Sequence, residues 1–296
     1  MVDGLDAPVE LIDPRGLDWS RVRRTDYLLH QRLRYEYPGP IEELRQRLIV
    51  FPPDLHGNQR LLRRHLQVSV PGPSVREETD AFGNRVCSLY LPRIEHAVEF
   101  DIRFLVERHV GLDGDLSAEM ANPAYSQPTP LTEPDGRLRE VAAMIAAEDI
   151  ADPAGRVCEW VYGAIEYRRG VTGVRTTAAE ALALGAGVCQ DHAQVMVTLC
   201  RLLGMPARYV SGHLLGEGAT HAWVEVLGPD PARPGRKKVQ ALDPSRGRAC
   251  RPDYVTVAVG RDYADVAPTS GTFNAPYGGR LESYKVAGIT RVEYAA

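Results

Sequence analysis

Residues 185–204 read Gly-Ala-Gly-Val-Cys-Gln-Asp-His-Ala-Gln-Val-Met-Val-Thr-Leu-Cys-Arg-Leu-Leu-Gly. Two glycines allow a tight bend before Cys189, and the apolar residues after it recur at helical spacing as far as Gly204. The stretch therefore predicts a helix that begins at Cys189. Because the positive end of a helix macrodipole favours a thiolate over a thiol, Cys189 is a candidate nucleophile. The alternative for a single cysteine in such a place is a buried core thiol.

Two candidate partners for Cys189 follow downstream, each on a predicted strand. His221 opens an alternating run at residues 221–227, and Asp243 stands where the apolar run 239–242 ends. Each has an ordinary alternative role, as a packed histidine or as a strand-end turn residue. Their spacing lets adjacent strands carry a base and a carboxylate beside the helix. Together the three supply the nucleophile, the base and the orienting carboxylate that covalent acyl transfer requires.

A set of ordered motifs resembles the core of the bacterial transglutaminase-like superfamily. It comprises Gly-Val-Cys-Gln-Asp-His-Ala at 187–193, Arg-Leu-Leu-Gly-Met-Pro-Ala-Arg-Tyr-Val-Ser-Gly at 201–212, His-Ala-Trp-Val-Glu at 221–225 and Leu-Asp-Pro-Ser at 242–245, with further likeness at Tyr167, 174–179 and 259–268. Asp-Ala-Phe-Gly-Asn at 80–84 is similar to the signature of a β-rich N-terminal domain often joined to this core.

The resemblance implies a papain-like α+β catalytic domain with a Cys-His-Asp triad. In such a domain Cys189 attacks a carbonyl carbon, His221 transfers the proton and Asp243 orients His221. The sequence departs from the family at two places: His192 stands where many relatives carry an aromatic residue, and the strand before Asp243 lacks the usual tryptophan. Both differences concern the substrate pocket and leave the triad intact.

The predicted fold class is α+β, with an N-terminal antiparallel β-sandwich followed by a papain-like, transglutaminase-like catalytic domain. Alternating apolar runs broken by Gly and Pro predict strands over the first third of the chain. Helical spacing and then strands follow, without regular βαβ alternation. We therefore expect a β-rich domain at residues 1–112, a Pro- and Gly-rich linker at 113–136 and the catalytic domain at 137–296.

Composition narrows the classes of partner and cofactor. A formal net charge of −4 gives no general attraction to nucleic acid or to an anionic membrane. The acidic start with Pro8 is unlike a secretory signal, and five widely spaced cysteines fit free thiols in a reducing compartment, so we expect a cytoplasmic protein. The sequence has no dinucleotide fingerprint, phosphate loop or acidic calcium loop, so no cofactor or metal is expected.

His192 leaves two alternatives open at the candidate site. It lies three residues after Cys189 on the predicted helix, so the two side chains share a face. With a further cysteine or histidine they could bind zinc, although no second pair at zinc-finger spacing exists. His192 could also replace His221 as the base, and its ordinary alternative is to line the pocket.

The acyl acceptor is the main question that the sequence leaves open. A thioester on Cys189 can be resolved by water, as in a peptidase or amidase, or by an amine, as in a transglutaminase. We expect hydrolysis of a peptide-like amide, with a peptide or protein as the substrate. The first alternative is transfer to an amine acceptor, and the second is a non-catalytic peptide-binding module of the same fold. Tyr167 is one candidate side-chain donor to an oxyanion hole, its ordinary alternative being to pack in the core, and the sequence does not indicate the oligomeric state.

Overall fold

The structure is a computed structural model that describes residues 11–109, 114–230, 232–233 and 235–295. The acidic N-terminal start and residue 113, the first of the predicted linker, lie outside the described residues. The strands are β1 Val22–Glu36, β2 Ile41–Phe51, β3 Leu55–His56, β4 Gln59–Val68, β5 Ser74–Thr79, β6 Arg85–Ile94, β7 Ala97–His109, β8 Glu166–Tyr167, β9 Ala186–Gly187, β10 Ala207–Leu214, β11 His221–Pro229, β12 Lys237–Asp243, β13 Arg248–Ala249, β14 Tyr254–Gly260, β15 Thr269–Asn274 and β16 Arg280–Tyr294.

The described residues include six α-helices, which lie between the strands. They are α1 Ser117–Met120, α2 Gly136–Ala146, α3 Pro153–Ala164, α4 Ala178–Leu184, α5 Cys189–Leu202 and α6 Tyr263–Val266, with two short 3₁₀ helices at Pro14–Gly16 and Pro123–Ser126. No helix in the described part of the chain combines the length and the apolarity needed to cross a membrane.

The N-terminal strands form an antiparallel β-sandwich, as predicted. One sheet has the order β16-β1-β7-β4-β3 and the other β15-β2-β6-β5. In β7 every second residue from Val98 to Val106 is buried between the two sheets, which is the period-two pattern of a half-buried strand. This alternation fixes the register of the central strand, because a one-residue slip would expose the whole apolar set.

The two C-terminal strands, β15 and β16, belong to this sandwich. The sequence had instead predicted them as part of the catalytic domain at 137–296. β15 pairs with β2, and β16 pairs with β1 along nearly its whole length. The physical reason is that β1 and β2 would otherwise stand as long open edges. The sequence pattern marked a terminal strand but carried no information about which strand it would pair with.

The catalytic domain places helices against a second antiparallel sheet of order β13-β12-β11-β10-β14. α5 lies between the sheet and helices α2, α3 and α4, so every residue from Asp191 to Cys200 is buried. Val195 and Leu199 are two of the apolar residues whose helical spacing predicted this helix, and both pack in this core as expected. α5 is thus the central helix of the domain, and its first residue faces the sheet edge.

Residues 114–136, predicted as a linker, are packed onto the catalytic domain. Arg201 donates hydrogen bonds to the carbonyl oxygens of Tyr125 (3.0 Å) and Gln127 (2.9 Å) and to the hydroxyl of Thr132 (3.1 Å). Tyr125 is buried. The Pro-rich composition therefore produces an irregular but well-anchored segment, because its backbone acceptors are satisfied by one arginine of α5.

Two amide side chains of the sandwich pair with the outer edge of β14. Asn84 accepts from the backbone N–H of Val259 (2.8 Å) and donates to its carbonyl (2.7 Å). Gln59 makes the same pair of bonds with Thr256 (2.9 and 2.8 Å). Each amide thus takes the place of a neighbouring strand, and Asn84 is the last residue of the Asp-Ala-Phe-Gly-Asn motif.

A buried ionic cluster joins the same two units. Glu225 of β11 accepts from Arg208 (2.7 Å) and contacts the ring of His56 (2.8 Å). Burial acts to raise the pKa of Glu225, but its contacts with His56 and Arg208 lower it to about 2. Glu225 shares the predicted polar strand face with His221, but the structure assigns it to this cluster and not to the candidate site.

Replacement of Asn84 by Ala should destabilise the protein, because two buried backbone groups of β14 lose their partner. We expect a loss of about 2–4 kcal/mol in the free energy of unfolding, measured by denaturant titration followed by tryptophan fluorescence. Asn274→Ala, at an exposed position, should cost less than about 0.5 kcal/mol. Equal stability of the two variants would contradict the role given to Asn84.

Candidate active site

The start of α5 is fixed by a buried carboxylate. Asp191 accepts hydrogen bonds from the backbone N–H of Val188 (2.7 Å) and the hydroxyl of Thr172 (2.7 Å). A Cβ at Gly187 would lie 2.6 Å from this carboxylate, so only glycine fits there. Cys189 is consequently the first residue of the helix, as the sequence predicted. As a helix-start amide, its backbone N–H has no intrahelical partner and is a candidate donor to an oxyanion.

The structure brings the three sequence-predicted residues together. His221, at the start of β11, places Nε2 2.7 Å from Oδ2 of Asp243 at the end of β12. The side chain of Cys189 lies near enough to the same ring to raise the pKa of His221. Because Nε2 is occupied by the carboxylate, Nδ1 is the nitrogen available to exchange a proton with the thiol. His221 and Asp243 are buried, whereas Cys189 is partly exposed.

Asp243 is held by two residues that the sequence did not single out as functional. Its Oδ1 accepts from the backbone N–H (2.9 Å) and the hydroxyl (2.7 Å) of Ser245, and its Oδ2 accepts from the hydroxyl of Tyr254 (2.7 Å). Burial acts to raise the pKa of Asp243, but the bonds from His221, Ser245 and Tyr254 lower it overall. Ser245 belonged to the recognised Leu-Asp-Pro-Ser motif. The sequence gave no reason to single out Tyr254, because it lies on a different strand, β14, eleven residues after Asp243.

The surroundings of His221 favour its protonated form. The ring stacks on Trp223 at a centroid distance of 6.4 Å and meets the edge of Tyr254 at 5.9 Å. Burial acts to lower the pKa of His221, but the hydrogen bond to Asp243 and the neighbouring Cys189 and Glu217 raise it to about 11. The site therefore places an imidazolium and a helix start next to the sulfur of Cys189, the surroundings in which cysteines generally act as nucleophiles.

His192 does not lie where a base or a metal ligand would be needed. Its ring nitrogens contact the carbonyl oxygens of Val188 (2.9 Å) and Ile165 (3.0 Å), and the side chain is buried. Within the described ranges, no group of three or more His, Cys, Asp or Glu side chains could hold a metal ion. Neither the alternative base nor the zinc interpretation gains support from the geometry.

Tyr167 lies at the mouth of the candidate site and not in the core. It is 46% exposed, and its ring centroid is 6.0 Å from that of His192. Burial and then the nearby Cys189 raise the pKa of Tyr167. Its hydroxyl is therefore protonated at neutral pH and lies in the electrostatic neighbourhood of the nucleophile.

Comparison with known proteins agrees with this geometry. Residues 139–233 match the transglutaminase-like superfamily, and residues 27–107 match the bacterial transglutaminase-like N-terminal region. An uncharacterized protein of Mycobacterium tuberculosis is 33% identical over an alignment of 177 residues. The alignment covers 55% of this chain and 54% of that protein. One of Mycobacterium leprae is 32% identical over 179 residues, 56% and 60% of the two chains. The chain thus aligns with little more than half the length of these relatives.

A solved structure shares the fold over nearly the whole chain. It is described as "a Putative Cysteine Protease from Cytophaga hutchinsonii" and superposes with a TM-score of 0.73. The alignment covers 93% of this chain and 94% of that one at 21% identity. This agreement confirms the predicted α+β architecture, including the N-terminal sandwich.

Iodoacetamide at mildly acidic pH should alkylate Cys189 before any other cysteine, because Cys189 is partly exposed and has an imidazolium partner. Burial raises the pKa of each of the other four thiols, those of Cys87, Cys158, Cys200 and Cys250. Time-resolved peptide mass mapping measures the order. Cys189→Ser should remove the earliest adduct and Cys250→Ser should not. Earlier labelling of another cysteine would contradict the assignment.

Proposed function

The chain belongs to the transglutaminase-like superfamily, and we propose that it is a cysteine-dependent acyl-transfer enzyme that hydrolyses a peptide-like amide. The proposal is carried by one observation: the buried His221 is held by Asp243 at Nε2 (2.7 Å), and its ring lies near the side chain of Cys189 at the start of α5. This arrangement matches the requirement for a nucleophile, a base and a residue that orients the base.

In the first half-reaction the thiolate of Cys189 attacks the carbonyl carbon of the amide. A carbon–sulfur bond forms, and the negative charge that develops on the carbonyl oxygen is stabilised by the backbone N–H of Cys189 at the helix start. The carbon–nitrogen bond then breaks as Nδ1 of His221 gives its proton to the departing amine. The products of this step are a thioester on Cys189 and a free amine.

In the second half-reaction water resolves the thioester. His221, now neutral, removes a proton from the water as the oxygen attacks, and the thiolate departs with His221 protonated again. Asp243 holds the ring in one orientation and stabilises the imidazolium in both steps. The partial exposure of Cys189 supports water as the acceptor, since a site that excludes water would be needed to protect the thioester for an amine.

A peptide library incubated with the protein, with and without a primary amine, tests the reaction. We expect cleaved products in both incubations, detected by mass spectrometry, and none with Cys189→Ala. Amine adducts in place of cleavage would contradict hydrolysis in favour of transfer. Binding of peptides without any product would instead favour the non-catalytic module.

Substitutions in the triad should have graded effects on kcat/KM. Cys189→Ala should abolish covalent turnover, and His221→Ala should be nearly as severe because the residues act as one unit. Asp243→Asn should reduce the rate by roughly 10²–10⁴, since an amide can hold the ring but cannot stabilise the imidazolium. Asp149→Asn, on the surface, should leave the rate unchanged. Wild-type turnover in Asp243→Asn would place the orienting group elsewhere.

A further inference from the structure

A second carboxylate faces His221 on the side opposite Asp243. Glu217 lies on the loop between β10 and β11, and its Oε2 is 3.3 Å from Nδ1 of His221. The sequence gave no reason to single out this residue, because it lies in a Gly-rich loop outside the recognised motifs. His221 therefore has a carboxylate at each ring nitrogen, and only the one at Nε2 is used by the proposed mechanism.

The position of Glu217 is set by an arginine. Arg246 forms an ion pair with Oε1 of Glu217, and its Nε is 3.8 Å from Oδ2 of Asp243. One guanidinium thus spans both carboxylates that flank the histidine. Because Arg246 engages Oε1, the other oxygen of Glu217 remains directed at the histidine ring.

The loop that carries Glu217 is tied down at both ends. The backbone N–H of Leu215 donates to the carbonyl of Asp253 (3.0 Å), and Lys285 of β16 donates to the carbonyl of Ala219 (2.6 Å). Between these anchors, a Cβ atom added at either Gly216 or Gly218 would have no neighbouring atom within 4 Å. The middle of the loop is therefore open to an approaching substrate, while its ends are fixed to the sheet and the sandwich.

Glu217 stays ionised across the working range of pH. The close contact with His221 is the main cause that lowers the pKa of Glu217 to about 2, with Arg246 acting in the same direction against partial burial. The other charged or titratable groups around the ring are Cys189, Asp243, Tyr254, Arg246, Tyr167 and Lys285.

Proton transfer from Nδ1 places the departing atom of the substrate beside Glu217. The acceptor of that proton must come within about 3 Å of Nδ1, which brings it into the neighbourhood of Oε2 of Glu217. An amide nitrogen carries an N–H and departs as an amine that becomes an ammonium ion, and a carboxylate stabilises both. The oxygen of a departing alcohol has no hydrogen to donate in an ester and gains no positive charge.

We propose that Glu217 is a specificity-determining residue that receives the amine side of the substrate and so selects amides over esters. This inference rests on the proposed cysteine-dependent reaction. The thiolate forms the carbon–sulfur bond, the carbon–nitrogen bond breaks, and the nitrogen takes the proton of Nδ1. The amine then gains a second proton from solvent and leaves as an ammonium ion beside Glu217.

The test compares kcat/KM for an amide and an ester that share one acyl group. In Glu217→Gln the ratio of amide to ester cleavage should fall about 10–100-fold, the range expected for a lost charge-assisted hydrogen bond. Glu166→Gln is the matched control, since Glu166 is an exposed carboxylate paired with Arg168. A ratio in Glu217→Gln that stays within twofold of the control would overturn the proposal.

A second measurement needs no turnover and separates the two proposals. Butylamine, as its ammonium ion, should slow alkylation of Cys189 by iodoacetamide in the wild type, whereas butanol at the same concentration should not. Glu217→Gln should lose this protection and Glu166→Gln should keep it, with folding checked by circular dichroism. Protection without any amide or ester turnover would uphold the role of Glu217 and reject the proposed reaction. Equal protection in wild type and Glu217→Gln would overturn the role of Glu217.

Discussion

The hydrogen bond between Nε2 of His221 and Oδ2 of Asp243 is the interaction around which the catalytic domain is arranged. A fully buried carboxylate is costly unless it is paired and hydrogen-bonded, and Asp243 meets this requirement through His221, Ser245 and Tyr254. These partners come from the start of β11, the turn after β12 and the start of β14. The pairing of antiparallel strands brings these positions to one edge of the sheet, beside the start of α5.

The charges at this edge are nearly balanced, which explains how several ionised groups can lie so close together. Asp243 and Glu217 supply negative charge, while His221 and Arg246 supply positive charge. The helix start adds a further partial positive charge next to the sulfur. Once His221 has given its proton to the departing amine, two carboxylates face one remaining cation, and this excess of negative charge is suited to receive the positive group that the amine becomes.

The β-sandwich is part of the support of the site. Asn84 and Gln59 complete the outer edge of β14, the strand whose first residue, Tyr254, holds Asp243. Lys285 of β16 anchors the loop of Glu217. Residues from both ends of the chain thus hold elements that carry residues of the site. The site would therefore be weakened by truncation of either the N-terminal strands or the C-terminal tail.

The sequence by itself determined the elements that depend on local pattern. The glycines before Cys189 and the apolar spacing after it predicted where α5 begins, and period-two alternation predicted the sandwich strands. The family resemblance added the roles of His221 and Asp243, which neither residue would have revealed alone. Local signals suffice here because helix starts and strand faces are set by residues within a few positions of each other.

Only the tertiary structure decided which distant segments meet. It paired the tail with β1 and β2, packed residues 114–136 against Arg201, and joined Glu225 to an ionic cluster with Arg208. It also brought Tyr254 to Asp243, and Glu217 to His221. The physical reason is that strand pairing and buried ion pairs depend on the whole set of available partners, whereas periodicity records only which face of an element is buried.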